Sequence, residues 1–404
     1  MQNLLPRFLR YVSVDTQSQP GVEAVPSTEK QRNLSQILVE ELTLLGLKDI
    51  IWDEHNYVYA TLPANCDSTY TLGFVAHVDT SCAVSGKDVK PQVITNYNGG
   101  EVVLGHGYVL SPKDFPELPT HAGKTLITTS GDTLLGADDK AGVVEIITML
   151  EELIKSNRPH GTIKVAFTPD EEVGRGTAFF DVNGFACDGA YTVDGGALGE
   201  LEYENFNAAG VTVTVNGKSV HPGSAKGKMV NALLVLMELQ GMLPVFENPM
   251  YTEGYEGFYH LDNVQGNVDQ AFGEYIIRDH DFDKFTQKKA FFQSCVDFLN
   301  SKYGKGTVEC NIADSYYNMK EHVLKHFHLV ENAKLAMENA GVTPLVVPIR
   351  GGTDGATLSY KGLPCPNLFT GGYNFHGRYE NIPLEDMQKA VEVLLNIVDL
   401  YAKR

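Results

Sequence analysis

Three apolar runs in this chain read as sheet strands, and each ends on histidine or acidic residues. Leu72-Gly73-Phe74-Val75-Ala76 leads into His77-Val78-Asp79. Residues 162–168 lead into Pro169-Asp170-Glu171-Glu172, and residues 190–193 lead into Asp194. Helical patterns lie between them, the clearest over residues 140–155, with a short one near Thr177. Alternation of this kind predicts a largely parallel sheet flanked by helices. In such a sheet ligands bind outside the carboxyl ends of the strands. The residues best able to do chemistry thus fall where the fold would place a ligand.

The rest of the chain fits around that sheet. With 404 residues it exceeds what one core usually holds, so two domains are expected. The segment Met1 to Arg10, whose apolar run is interrupted by Arg7 and Arg10, predicts a short amphipathic helix rather than a signal peptide. Thr28-Glu29-Lys30-Gln31 has the form of a capping box, and Leu34, Leu38, Leu42 and Leu45 follow at helical spacing up to Gly46. Residues 57–62 read as a strand. Residues 80–132, rich in Gly, Pro, Asn and Thr, read as an irregular excursion with hairpins near the active site. From 206 to 318 the pattern is β-α-β-β-α-β, a small α/β sandwich. Its strands are 211–215, 258–267, 271–278 and 307–312, and its helices 229–239 and 282–299. A helix over 321–340, a strand over 343–348 and a last helix over 384–401 return to the first domain. The expected fold is therefore α/β, with a mixed, mostly parallel sheet flanked by helices (1–205 and 319–404) and a smaller inserted lid (206–318).

Composition excludes some functions. Acidic residues number 51 and basic residues 32, a net charge of −19, which repels nucleic acid and anionic membranes. No apolar stretch approaches the ~20 residues of a membrane span. The six cysteines, Cys66, Cys82, Cys187, Cys295, Cys310 and Cys365, include no CxxC pair. They predict reduced thiols in a cytoplasmic setting and argue against a thiolate metal site.

Five elements carry the chemistry. In His77-Val78-Asp79, residues two apart on a strand share a face, so His77 could bind a metal through one ring nitrogen while Asp79 holds the other; such pairs also occur without metal. Gly136-Ala137-Asp138-Asp139-Lys140-Ala141-Gly142 places two carboxylates in a glycine-bounded turn before a helix. They suit helix capping or a ligand that gives one oxygen to each of two cations. Thr168-Pro169-Asp170-Glu171-Glu172-Val173-Gly174 crowds three carboxylates at a strand end, which a dication would relieve and solvent also would. Asp194 ends a fourth element, Tyr191-Thr192-Val193-Asp194-Gly195-Gly196. His376 lies in the glycine-rich loop Gly371-Gly372-Tyr373-Asn374-Phe375-His376-Gly377. Nitrogen and oxygen donors without thiolates fit zinc, and also manganese or cobalt. His322 and His326 are four apart, but Val323 follows the first, so they do not form an HExxH motif.

The segments AHVDTS, GADDKAG, TPDEEVGRG, YTVDGG, PIRGGTDGA and NFHGRYE, spread along the whole chain, resemble those of the co-catalytic zinc exopeptidases related to aminoacylase and the glutamate-releasing carboxypeptidases. The resemblance implies two zinc ions per subunit, ~3.5–4 Å apart, with cobalt or manganese as substitutes. His77 and Asp194 would hold one ion, Glu172 and His376 the other, and Asp139 would bridge them after a cis peptide bond from Asp138. Asp79 would orient His77, and Glu171 would be the general base. In the inserted domain, His221 of Ser219-Val220-His221-Pro222-Gly223 would stabilise the oxyanion, in many relatives across a homodimer interface. Apart from the resemblance, Arg278 at a strand end or Arg350 in a glycine-rich loop could bind the substrate carboxylate as a planar fork; a surface ion pair for the first and a pocket-shaping loop for the second are the alternatives. The implied substrates are short peptides, chiefly tripeptides losing their N-terminal residue. The same machinery on N-acyl amino acids or dipeptides is a rival reading. A non-catalytic peptide-binding protein is another.

Overall fold

The strand Leu72–His77 is buried at every residue, as expected of a strand covered on both faces. It lies inside an eight-stranded sheet in a computed structural model that describes residues 1–403. Edge to edge the strands are Lys48–Trp52, Val58–Leu62, Ile163–Thr168, Leu72–His77, Gly189–Gly195, Asn367–Phe369, Glu200–Glu202 and Leu345–Val346. The four from Ile163–Thr168 to Asn367–Phe369 run mutually parallel. Their carboxyl ends therefore form one edge, where His77, Thr168 and Asp194 sit side by side.

The helix Ala137–Ser156 is buried along most of its length. Gly142 permits its close approach to the strand Gly189–Gly195, because a Cβ there would lie 1.8 Å from the Val193 carbonyl oxygen. Glu145 on this helix is fully buried, and neither carboxyl oxygen has a hydrogen-bond partner among the described residues. Burial pushes its carboxyl well above the usual carboxylate range. The folded chain thus keeps a proton that the unfolded chain releases. That contribution to stability is complete below the unfolded pKa and is lost as pH rises through the folded value. Glu145→Leu should raise the Tm at neutral pH, by the equivalent of about 1–3 kcal/mol, and flatten its decline with pH. A lower Tm in a melting series from pH 5 to 8 would contradict this account.

The chain divides into two compact units: Met1–Tyr203 with Glu321–Val347 and the stretch from Thr353 onward, and Glu204–Lys320 with Pro348–Gly352. Residues 348–352, read from sequence as catalytic domain, cluster with the second unit. That unit is a four-stranded antiparallel sheet ordered Phe258–Gly266, Gln270–Asp279, Asn207–Asn216, Val308–Tyr316. The helices Ala232–Met242 and Phe282–Tyr303 share its core, with Val211, Val213, Val215, Tyr275, Leu236 and Phe292 inside. Element order along this unit is β-α-β-β-α-β.

Some local expectations fail for identifiable reasons. Thr28 forms no capping hydrogen bond. Its hydroxyl donates to the Gln17 carbonyl at 2.7 Å, while the Gln31 amide reaches Asp170 at 2.6 Å. Long-range partners have taken both members of the box, and a 3-10 turn Glu29–Gln31 precedes the helix Arg32–Leu45. The strand expected over 343–348 shrinks to Leu345–Val346, since Pro344 and Pro348 lack the N–H a ladder needs. The helix expected over 321–340 is two, Lys320–Leu324 and His328–Asn339, and no residue type marks the break. The short helix expected near Thr177 forms later, at Val182–Phe185, where the Asp181 side chain caps it.

The excursion after Thr80 contains the expected short strands. Gln92–Ile94 and Leu126–Thr128 pair with each other, and the latter pairs with Asn381–Pro383. Val102–Val103 pairs with Val109–Leu110. Glu117 in this region accepts the Asn374 side-chain N–H at 2.8 Å, and the His121 ring lies 4.6 Å from that of Tyr373. The excursion thus buttresses the loop that carries His376.

Candidate metal centre

His77 arrives at the sheet edge with its orientation fixed. Its Nδ1 lies 3.1 Å from the Asp79 carbonyl oxygen and 3.3 Å from Asp79 Oδ1. Donation from Nδ1 to Asp79 puts the lone pair on Nε2. That nitrogen faces Asp138 Oδ1 at 3.1 Å and Asp194 Oδ1 at 3.4 Å. The Asp79 carboxylate, fully buried, also accepts the backbone N–H groups of Glu171 and Glu172 at 3.0 and 3.2 Å. One aspartate therefore holds both the histidine and the acidic turn.

The acidic turn is clamped from its other side. Asp170 adopts left-handed backbone at φ 54°, which a non-glycine residue tolerates only when its surroundings enforce it. Its carboxylate accepts the Ser27 backbone N–H at 2.6 Å, the Ser27 hydroxyl at 2.5 Å and the Gln31 amide at 2.6 Å. Behind the turn, Asp354 accepts the Thr168 hydroxyl at 2.8 Å. A Cβ at Gly176 would stand 2.1 Å from Asp354 Oδ1, so any larger residue there would displace the Asp354 carboxylate.

His376 and Glu172 face each other across the site, Nε2 to Oε2 at 2.9 Å. His376 is half exposed and also left-handed, at φ 62°. Asp138 lies between the two histidines. One oxygen is 3.1 Å from His77 Nε2 and the other 2.8 Å from His376 Nε2. Asp139, joined to Asp138 by a cis peptide bond, turns back into the protein. Its oxygens accept the backbone N–H groups of His77 at 3.1 Å and Gly142 at 3.2 Å. The resemblance implies Asp139 as the bridge, and Asp139 does lie near His77 and Asp194, but Asp138 is the carboxylate in contact with both histidines.

The donor set fits a pair of divalent cations. Ligand atoms of His77, Asp138 and Glu172 lie within 4.8 Å of one another, and so do those of His77, Asp139 and Asp194, although the Asp139 oxygens already accept backbone N–H groups. Glu172 Oε1 is buried without a hydrogen-bond partner among the described residues. Burial, with the nearby Asp138 charge, pushes Glu172 up to about 7, and burial pushes Asp194 up to about 6. Burial and the nearby Asp194 also raise Glu171 well above the usual carboxylate range. Hydrogen bonds to Asp138 and Glu172 draw His376 up to about 11. Carboxylates this crowded are costly when charged unless cations share the space. Two imidazoles and several carboxylates, with no thiolate, match zinc, cobalt or manganese.

The remaining candidates lie in the second unit. His221 is exposed, and its Nδ1 accepts the Gly223 N–H at 3.1 Å. Arg350 is occupied: its guanidinium donates to the carbonyls of Gly254 at 2.8 Å, Glu256 at 3.0 Å and Thr252 at 3.3 Å. Arg278 donates through Nη1 to the Arg350 carbonyl at 3.0 Å, and its buried Nε has no hydrogen-bond partner among the described residues.

A family model described as peptidase family M20/M25/M40 matches residues 133–400. A protein of Alkaliphilus oremlandii named Peptidase T is 56% identical over 409 residues, covering 100% of both chains. The crystal structure of a tripeptidase from Staphylococcus aureus superposes with a TM-score of 0.81 at 22% identity, over 100% of this chain and 99% of that one. A Bacillus subtilis structure described as a dinuclear metal-binding peptidase of the M20 family superposes with a TM-score of 0.65 at 12% identity, over 100% of this chain and 98% of that one.

Proposed function

The chain belongs to peptidase family M20/M25/M40, and from that premise we propose that it is a metallo-aminopeptidase removing the N-terminal residue from tripeptides. The observation that carries the reading is the Asp138 carboxylate set between His77 and His376, with Asp194 and Glu172 beyond them. His77 and Asp194 are the proposed ligands of one zinc, Glu172 and His376 of the other, and Asp138 of both. Asp139 is removed from the ligand set and proposed as the anchor of the His77 and Gly142 backbone. Two divalent cations bound there would polarise a peptide carbonyl and lower the pKa of water.

The chain's own groups do the rest. Asp79 keeps the His77 lone pair directed into the site and fixes the turn from which Glu171 projects. Glu171, raised in pKa by burial and by Asp194, accepts a proton from the attacking water and returns it to the leaving amine. Being next to Glu172 in the chain, it can serve as base while its neighbour serves as ligand. Arg278, whose Nε has no hydrogen-bond partner among the described residues, is the proposed reader of the substrate carboxylate.

Hydrolysis of di-, tri- and tetrapeptides, an N-acetylated amino acid and a tripeptide C-terminal amide tests the reading, with metal content measured on the same sample. The tripeptide should be cleaved fastest, and the activity should vanish on chelation and return with zinc. The C-terminal amide should be cleaved poorly. Preference for the N-acetylated compound would favour the rival amidohydrolase, and no metal-restored activity on any of them would favour a binding protein. No helix among the described residues is long and apolar enough to cross a membrane. The six free cysteines support a cytoplasmic setting. The reading includes a homodimer in which His221 serves a second copy; a monomeric mass by light scattering at full activity would remove that part.

A further inference from the structure

Glu380 takes no part in the ligand set described above, yet it is 1% exposed and fully engaged. Its Oε2 accepts the backbone N–H groups of Leu135 at 2.7 Å and Gly136 at 2.9 Å, and its Oε1 accepts that of Asp138 at 3.1 Å. These donors sit at the entry to the helix Ala137–Ser156, where the first N–H groups lack partners within the helix. The residue at the capping position is Gly136, which has no side chain to supply one. The acceptor comes instead from more than 240 residues further along the chain.

The position of Glu380 gives this contact a second consequence. It lies four residues after His376, at the foot of the same loop. Tyr373 and Asn381 close that loop by exchanging backbone hydrogen bonds at 2.9 and 3.0 Å, and the Glu380 N–H bonds the Gly377 carbonyl at 3.3 Å. Asn381 then enters the strand Asn381–Pro383. The Glu380 carboxylate is therefore a strut from the His376 loop to the backbone of Asp138. His376 and Asp138 meet at 2.8 Å, and each sits on an irregular segment. His376 and Asn374 have φ values of 62° and 58°, and Asp138 and Asp139 depart from helical dihedrals. Regular secondary structure does not fix the spacing between such segments, and the Glu380 carboxylate ties one directly to the other.

We propose that Glu380 is a positioning residue for the metal centre: it sets the distance between Asp138 and His376, and so the affinity of the cation site they share. The inference rests on the assignment of Asp138 and His376 as ligands. Outer groups that orient ligands typically contribute about 10–100-fold in metal affinity or activity. A residue acting only as a helix cap would lower thermal stability without changing affinity in the protein that remains folded.

The test is a cobalt(II) titration of the metal-depleted full chain, read by visible absorption and by calorimetry, for the parent, Glu380→Ala and Glu380→Gln. Melting curves of the metal-free forms are recorded alongside. The parent should bind two equivalents. E380A should weaken the cobalt dissociation constant by about 10–100-fold, with an altered absorption band and a kcat that falls more than KM changes. E380Q, which keeps one acceptor oxygen and the shape, should show a smaller loss and stay folded if E380A does not. Parental cobalt affinity and spectrum in E380Q and in folded E380A, whatever their melting temperatures, would reduce Glu380 to a helix cap and overturn the proposal. A parent that binds no cobalt would instead overturn the assignment of the metal centre, and this inference with it.

Discussion

Glu171→Gln should lower kcat on a tripeptide by about 10²–10⁴-fold while the protein keeps its full complement of metal. Glutamine preserves the size of the side chain and its hydrogen-bonding reach but cannot accept the proton of an attacking water. The turn itself should persist, because its backbone is held by Asp79 on one side and by Asp170, Ser27 and Gln31 on the other. The neighbouring Glu172→Gln is the informative comparison. Glu172 faces His376 at 2.9 Å, so its loss should lower metal content as well as rate. If E171Q kept parental kcat, or if it lost metal as E172Q does, the division of labour between the adjacent glutamates would be wrong.

Asp138→Ala should cost more than any change behind the ligands. Removing the carboxylate that spans His77 and His376 takes a donor from both cations at once. Activity should fall beyond the ~10–100-fold expected of a supporting residue, and the stoichiometry at saturating metal should drop below two. Asp139→Ala should behave differently. It strands the N–H groups of His77 and Gly142, a loss of about 1–3 kcal/mol for each buried donor left unpaired. The Tm should fall, but the folded fraction should still bind two equivalents at high metal concentration. The reverse pattern, with two equivalents in D138A and fewer in D139A, would restore Asp139 as the bridge.

That pair of residues shows where sequence reading stops. Strand ends bearing His77, Glu171, Glu172 and Asp194 could be found because an apolar run that stops at a charge is a local pattern, and the alternation around it fixes where the charge falls. In the second unit, period-two alternation over residues 211–215 marked a strand with one buried face, and the order of elements around it was legible for the same reason. Asp138 and Asp139 are identical side chains one residue apart, so no property of composition or spacing separates them. Only the folded contacts distinguish them: the Asp138 carboxylate meets both histidine rings, and that of Asp139 meets backbone N–H groups. The supports of the site were invisible for a second reason. Glu380 acts on residues 135–138, and Ser27 and Gln31 act on Asp170, across separations that leave no periodic trace. The Thr28 capping motif misled because its side chains had partners elsewhere. Arg278 and Arg350 looked alike as fork-shaped donors until the carbonyls of Thr252, Gly254 and Glu256 were found to occupy the second.

Anomalous diffraction at the zinc absorption edge, from crystals of the metal-loaded protein, tests the proposed centre most directly. Two peaks are expected, one between His77 and Asp194 and one between Glu172 and His376, with the Asp138 carboxylate between them. A single peak, or a pair that leaves Asp138 or either histidine outside contact distance, would contradict the shared-carboxylate centre on which the proposed peptidase chemistry depends.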